Sequence, residues 1–547
     1  MRNQEIPQER TVSALQAPVS SSSRFLTVEN ILIAAFVLLG IIGISHHELW
    51  RDEAQAWLLA RDSQSLLDLF YNARYEFHPL LWHLCLYPLA KIIPYPWVMQ
   101  AFHLLLATGS IVLIVKTSPF SLLQKGLLSI SYFLFYEYSL ISRNYAIGVF
   151  LIFLFCALYT QKKPKYWSLA IVLALLANAS VFGLTISFAL GTTLLYRALT
   201  ERRDSGSGRS RQVSAVRQVM PQAILLLASW MVSIAQVTWA AIFLLGGTLS
   251  TNADPAAVES EPALAGVWHQ IDQISRLADL ILKSYLPLPQ FGINFWNEHF
   301  LGTEGIFPSV GPLSLGLFIG IALAVIAVIT SLKILWKTPF ALWIYTSTCV
   351  ILAIFHSVFL RGATRHYGHF FIIFLVCLWL ATWSQQPKRP HRTPAIVGGT
   401  FLTILLVFQA VSGVHAYTTD LIYPFSSSRE IANYIQTHQL EDMVLFAQDD
   451  RKVTGIASYL NCSIYYPQRG VFGSFWNDDY PELATTQALI ESIEAFGQQQ
   501  PNFLAILGDP IDPGAVASEV ILLMKPHPTI RADERLFLYL VQSNLSP

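Results

Sequence analysis

The chain has 547 residues, of which 53% are hydrophobic and 13% charged, whereas ordinary soluble domains contain roughly 25% charged residues. Lys and Arg together number 35, as do Asp and Glu, so there is no excess of positive charge to favour a nucleic-acid partner. The mean hydropathy is +0.46. These values predict a polytopic membrane protein. The five cysteines show no CxxC spacing, so we expect neither a disulfide framework nor a metal site.

The apolar segments come in chain order after a polar start, residues 1–24, which we interpret as a cytoplasmic tail. No small-residue cleavage site follows the first apolar run, which predicts an uncleaved signal anchor. A span needs about 20 apolar residues, and on this criterion we predict about 11 transmembrane helices. They are 25–45, 97–115, 121–138, 144–161, 166–182, 183–198, 222–247, 313–335, 339–360, 366–384 and 394–414.

Basic residues orient this array, because Lys and Arg concentrate in cytoplasmic loops. From residue 116 onward they cluster in every second loop between the predicted spans. The densest cluster lies in loop 199–220, which we interpret as a flexible cytoplasmic linker. The first external loop, 46–79, and a long loop, 248–312, then lie outside. We expect the N-terminus in the cytoplasm and the protein in the plasma membrane. Segment 80–93 is apolar but short, and we predict an interfacial or re-entrant helix there.

The membrane region is expected to cover residues 25–415, and the composition after it is that of a soluble domain. Residues 443–446, 463–466, 503–506 and 536–539 read as short strands, and they alternate with helical patterns near 428–438, 452–460 and 481–496. Such alternation predicts a small α/β sheet domain over 416–547, on the extracytoplasmic side. The overall fold class is therefore mostly α, with an α/β domain at the C-terminus.

Three polar clusters meet the same external surface under this topology. They are Asp52 and Glu53 with Glu76 and His78, then Arg143 with Tyr145, and then Arg361, Arg365, His366, Tyr367 and His369. Ionisable residues near membrane depth are costly and usually functional. A positioned carboxylate can take the proton of a nucleophile, while the planar guanidinium of Arg matches phosphate oxygens.

This bipolar arrangement suits transfer of a sugar from a polyprenyl-phosphate donor to a hydroxyl. We assign Asp52, Glu53 and Glu76 as catalytic candidates. The candidates for the donor phosphate are Arg143, Tyr145, Arg365, His366 and Tyr367, and those for the rest of the substrate are His78, Arg361 and His369. Helix capping is the alternative role for Asp52, and anchoring at the membrane surface is the alternative for the arginines.

Three motifs carry a resemblance to a known family: Leu49-Trp-Arg-Asp-Glu-Ala54, Glu76-Phe-His-Pro-Leu80 and Ser142-Arg-Asn-Tyr145. They resemble successive signatures of the GT-C superfamily of membrane glycosyltransferases, in the branch of protein O-mannosyltransferases, lipid A aminoarabinose transferases and Rgt-type lipopolysaccharide glycosyltransferases. The resemblance covers roughly residues 25–200. It implies a GT-C type fold, an inverting mechanism, Asp52 as the essential acid with Glu53 as its companion, and Arg143 and Tyr145 as an Arg-x-Tyr motif.

Expected partners are the polyprenyl-phosphate sugar donor, membrane lipid, and a glycan, lipid or protein acceptor. No cofactor is expected, although a carboxylate cluster can recruit a divalent cation weakly. The alternative from another class is a transporter or flippase for glycolipid precursors, in which ionisable groups lie near the bilayer midplane. A catalytically inactive member with a binding role is a third reading.

Overall fold

The computed structural model describes residues 27–204, 209–251, 263–302, 309–310, 313–359, 362–384, 392–477 and 485–543. Helices dominate the first 440 residues, and strands enter mainly after them. The helices are α1 (Val28–His46), α2 (Arg51–Asp62), α3 (Leu66–Asn72), α4 (Leu81–Ile92), α5 (Trp97–Thr117), α6 (Leu122–Leu128), α7 (Tyr145–Tyr159), α8 (Tyr166–Ala177), α9 (Val181–Asp204), α10 (Arg209–Thr251), α11 (Ala263–Tyr285), α12 (Leu315–Leu335), α13 (Pro339–Val358), α14 (Thr364–Ser384), α15 (Arg392–Ile422), α16 (Ser428–Thr437), α17 (Thr454–Leu460) and α18 (Thr486–Gly497).

Eight of the described helices are long and apolar enough to cross a membrane, and this makes the chain an integral membrane protein. They are α1, α5, α9, α10, α12, α13, α14 and α15. Two shorter apolar helices, α7 and α8, have 15 and 12 residues. The mostly helical fold class is confirmed, but the predicted count of about 11 spans is not.

The predicted span 121–138 is wrong as a single helix. It is divided into α6 and a π-helical turn, Tyr132–Glu137. The break is stabilised by serine side chains, since the Ser129 and Ser131 hydroxyls donate to the carbonyls of Lys125 and Leu128. On α15, Gly413 lies directly against the backbone of this break, where any side chain would collide with it. The break therefore lets two backbones approach closely.

Helices are found in three further segments. The segment 199–220 is helical on both sides of 205–208, because α9 ends at Asp204 and α10 begins at Arg209. The long segment 248–312 contains α11, a helix of 23 residues. The segment 80–93 forms α4, whose 12 residues are too few to span a bilayer, as expected for an interfacial helix.

The C-terminal domain contains a six-stranded mixed sheet, and a short β1–β2 ribbon precedes α12. The sheet order is β5-β4-β3-β6-β8-β7, with β4, β3 and β6 parallel and the other pairs antiparallel. All four predicted strands form, and β5 and β7 were not predicted. The strands are β1 (Ser309–Val310), β2 (Leu313–Ser314), β3 (Val444–Ala447), β4 (Ile464–Tyr466), β5 (Val471–Gly473), β6 (Asn502–Leu507), β7 (Glu519–Met524) and β8 (Phe537–Gln542).

Helix α2 joins the two parts of the molecule. Its residues Trp57 and Ala60 pack in the core of the membrane region. Ala54 and Leu58, on another face of the same helix, pack in the core of the C-terminal domain. The last long apolar helix, α15, continues to Ile422, and the next helix, α16, begins at Ser428. Asp52, at the start of α2, therefore lies where the two parts meet.

Candidate functional site

Asp52 is the second residue of α2 and lies between two arginines from distant parts of the chain. Its Oδ2 is 3.5 Å from Arg143 Nη1 and 3.5 Å from Arg365 Nη2. Arg143 Nη1 also donates to the Asp52 carbonyl at 2.6 Å. The exposed fractions of these side chains are 20% for Asp52, 10% for Arg143 and 14% for Arg365. A partly open carboxylate between two nearly buried guanidinium groups can meet a substrate that carries both a hydroxyl and a phosphate.

Each arginine reaches Asp52 because it stands at a helix end. Arg365 is the second residue of α14, and Arg143 lies two residues before α7. Burial alone would lower the pKa of Arg143, but Asp52, Tyr145 and Glu76 raise it, so the guanidinium stays charged. Glu76 is half-buried and acts on Arg143 through this charge interaction. It is the third predicted carboxylate of the site.

Glu53 follows Asp52 in the chain and has a different environment, since its side chain is fully buried. Its Oε1 accepts from the Ser142 backbone N–H at 2.5 Å, and its Oε2 accepts from His47 Nε2 at 3.0 Å and from the Trp50 backbone N–H at 3.3 Å. These donors come from two segments, the connection between α1 and α2 and the loop before α7. Glu53 thus fixes the start of α2 against the loop that carries Arg143.

The contacts of Glu53 continue into a buried network. His47 Nδ1 is 2.7 Å from Asp420 Oδ2, and the same carboxylate oxygen accepts from the Tyr136 hydroxyl at 3.1 Å. Both ring nitrogens of His47 face carboxylates, so both carry a proton. Burial acts to lower the pKa of His47, but Asp420 and Glu53 outweigh it and raise that pKa to about 10. Glu53, His47, Asp420 and Tyr136 therefore form a buried ionic network next to the site.

Two tryptophans form a platform under Arg365. The rings of Trp50 and Trp296 meet edge to face with centroids 4.8 Å apart. The Arg365 guanidinium carbon lies 5.0 Å from the Trp50 ring and 5.4 Å from the Trp296 ring, within the range of cation–π attraction. Trp296 is held in turn, because its indole N–H donates to Glu137 Oε2 at 3.1 Å. The platform fixes a side chain that would otherwise have many rotamers.

His78 and Tyr145 lie beside the arginines. His78 Nε2 and the Tyr145 hydroxyl are 3.3 Å apart, and Arg143 also hydrogen-bonds the Tyr145 hydroxyl. Burial, together with the charge of Arg143, holds the pKa of His78 well below its ordinary value. His78 is therefore neutral, and its Nδ1 is buried without a hydrogen-bond partner among the described residues.

The residues after Arg365 point in other directions, as neighbours on a helix do. His366 and His369 stack on Phe182 at centroid distances of 5.5 and 4.5 Å. The Tyr367 hydroxyl donates to the Gly362 carbonyl at 2.7 Å, and the ring lines a cavity of about 370 Å³ between α11 and α13. The structure brings His366 and His369 to Tyr145, whereas Tyr367 faces that cavity. The predicted residue Arg361 lies outside the described residues.

Among the residues that the structure describes, no group of three His, Cys, Asp or Glu side chains is arranged to hold a metal ion. Weak recruitment of a divalent cation by the acidic residues stays a prediction.

Sequence reasoning missed four residues of the site and its support: His47, Asp420, Glu137 and Trp296. Asp420 carried a usable signal, because it is an acid within the apolar stretch Gly398–Ile422. Glu137 carried the same signal within the apolar run 121–138. Nothing local marks Trp296 as the partner of Trp50, which is 246 positions away.

The fold of the chain was compared with those of known proteins. The chain resembles ArnT. A crystal structure of ArnT from Cupriavidus metallidurans bound to undecaprenyl phosphate has 11% sequence identity and a TM-score of 0.45, over 93% of this chain and 97% of that one. The apo structure of the same protein has 11% identity and a TM-score of 0.43 over the same shares. ArnT is an aminoarabinose transferase, one of the groups whose motifs the sequence resembles.

No protein-family model and no curated protein matches the sequence.

Proposed function

We propose that this protein is a membrane glycosyltransferase that moves a sugar from a polyprenyl-phosphate donor to a hydroxyl acceptor, with inversion, on the extracytoplasmic face. The observation that carries the proposal is the Asp52 carboxylate between the guanidinium groups of Arg143 and Arg365, each 3.5 Å away. Such a transfer requires a base that takes the proton of the hydroxyl and cations that bind the phosphate.

The acceptor oxygen attacks the anomeric carbon as the bond from that carbon to the phosphate oxygen breaks. Asp52 takes the hydroxyl proton, and the polyprenyl phosphate leaves with the bonding electrons, its charge held by Arg143 and Arg365. Both oxygens of Glu53 are occupied within the core. Asp52 is then the one carboxylate of the acidic pair that can meet substrate, and a single base suits one displacement with inversion.

The position of the charges favours an enzyme over a transporter or flippase. Asp52, Arg143 and Arg365 all stand at or just before helix N-termini, whereas transporters place ionisable groups near the bilayer midplane. A site at the ends of apolar helices suits a donor whose tail stays in the lipid. The basic clusters between spans support the extracytoplasmic assignment of this face. The resemblance of the three motifs to bacterial GT-C enzymes supports a bacterial plasma membrane.

The test is Asp52→Asn in purified protein, incubated with a panel of polyprenyl-phosphate sugars while release of the lipid phosphate is measured. We expect turnover to fall roughly 10²–10⁴-fold, with the melting temperature unchanged. Asp442→Asn removes an exposed carboxylate in the C-terminal domain and should leave turnover as in the wild type. Near-normal turnover in folded Asp52→Asn protein would remove Asp52 from its assigned role.

A further inference from the structure

The loop between β7 and β8 extends from the C-terminal domain to the tryptophan platform. Residues 529–535 of this loop, which we name the junction loop, are fixed by backbone contacts. The Ile530 and Arg531 N–H groups donate to the carbonyls of Pro424 and Phe425 at 2.9 and 3.0 Å. Asn294 Nδ2 donates to the Ile530 carbonyl at 3.0 Å. The loop is thereby held on both the α15–α16 connection and the segment that carries Trp296.

Arg531 of the junction loop lies on the same two rings as Arg365. Its guanidinium carbon is 5.7 Å from the Trp50 ring and 5.2 Å from the Trp296 ring. The corresponding distances for Arg365 are 5.0 and 5.4 Å. The C-terminal domain thus brings a second guanidinium to the platform that supports a cation of the site.

The junction loop also holds the residue before Asp52. Arg51 Nη1 is 3.3 Å from Asp533 Oδ2, and the Arg51 N–H donates to Glu534 Oε1 at 3.4 Å. Asp533 also pairs with Arg531 at 2.5 Å. Burial raises the pKa of Glu534 to about 8, against the opposing effect of Arg51.

The guanidinium groups remain partly open to a ligand. The exposed fractions of the side chains are 10% for Arg143, 14% for Arg365 and 20% for Arg531. Their Nε atoms are closed to solvent and have no hydrogen-bond acceptor among the described residues. A phosphate supplies several acceptor oxygens and negative charge, and the planar fork of Arg suits both. These partly open guanidinium groups point to this kind of ligand.

We propose that Arg531 is a third phosphate-binding residue of the donor site, contributed by the C-terminal domain. This rests on the function proposed above. The domain is then a part of the active site, since the junction loop supplies one of its cations and holds Arg51 beside Asp52. A purely structural Arg531 would stack on the tryptophans and hold the domain without affecting affinity for the donor.

The experiment compares the affinity of wild type, Arg531→Gln and Arg531→Lys for polyprenyl phosphate, together with KM and kcat for the polyprenyl-phosphate sugar. We expect Arg531→Gln to weaken lipid-phosphate binding and raise the donor KM about tenfold or more. Arg531→Lys should recover part of this loss, because it keeps the charge but not the fork. The acceptor KM should not change.

The matched control is Arg429→Gln. Arg429 is in the same domain junction but donates to the carbonyls of Ser45, His46 and His47. Its loss should lower the melting temperature and leave lipid-phosphate affinity unchanged. Wild-type affinity in Arg531→Gln, or a rise in acceptor KM alone, would overturn the inference. If Arg531→Gln does not fold, the affinity of Arg531→Lys for polyprenyl phosphate is compared with that of the wild type. Equal affinities would then overturn the inference. A wild-type protein that neither binds polyprenyl phosphate nor transfers sugar would instead contradict the proposed function.

Discussion

Asp52 and Glu53 are adjacent carboxylates at the start of one helix, and they belong to two different regions. Asp52 has a 20% exposed side chain and faces arginines at 3.5 Å, whereas Glu53 is fully buried and accepts from His47 and two backbone N–H groups. Successive helical residues project about 100° apart, so one can line a site while the next enters the core. The partly exposed Asp52 carboxylate can exchange its arginine partners for a substrate, whereas the buried Glu53 carboxylate cannot.

The largest expected effect is on turnover, when an arginine that faces Asp52 is replaced. Replacing Arg143 or Arg365 by Gln removes a fixed cation from the leaving phosphate and should lower kcat by about 10²–10³-fold. Arg365→Lys should retain more activity than Arg365→Gln, because an ammonium keeps the charge. Steady-state release of polyprenyl phosphate measures this. Equal activity in Arg365→Gln and the wild type would mean that the arginine only anchors α14 at the membrane surface.

Replacing the buried Glu53 should change the stability of the protein more than its turnover. Glu53→Gln leaves the charged His47 with one carboxylate fewer, and loss of one partner of a buried ion pair costs about 3–5 kcal/mol. The variant should melt well below the wild type in detergent, while Asp52→Asn should not. If Glu53→Gln were as stable as the wild type and inactive, Glu53 would belong with the chemistry.

The smallest expected effect is on the pH dependence of stability. The pKa of His47 is raised to about 10 in the folded protein, while an unperturbed His titrates near 6.5. Its contribution to stability is fully present below about pH 6.5 and is lost as the pH rises towards 10. The melting temperature of the wild type should fall across this range more steeply than that of His47→Gln. Parallel curves for the two proteins would show that His47 is not held charged.

Local pattern was enough to predict most elements of the C-terminal domain. Alternating strands and helices after residue 428 form where the sequence predicts them, because period and turn residues are local signals. The edge strand β5 has only three residues, and its side chains are mostly exposed, so it lacked a burial pattern. The span 121–138 failed because apolar composition does not show that Ser129 and Ser131 divide it.

The site was predictable only in part, for a physical reason. Charge at a membrane surface marked Asp52, Arg143 and Arg365 before any contact was known. The residues around them, such as Trp296, Asp420 and Arg531, are brought close by contacts between distant segments. A single sequence carries no local sign of which distant residue closes such a contact.

The placement of α2 in two cores has a consequence for the order in which the chain is assembled. Its face with Ala54 and Leu58 packs on α17, in the same core as strands β3, β4, β6 and β8, and α17 ends at Leu460. During synthesis this apolar face stays uncovered until α17 has left the ribosome, after the membrane helices. The membrane helices can insert one after another, but α2 and the carboxylate it carries are enclosed only when the C-terminal domain follows them.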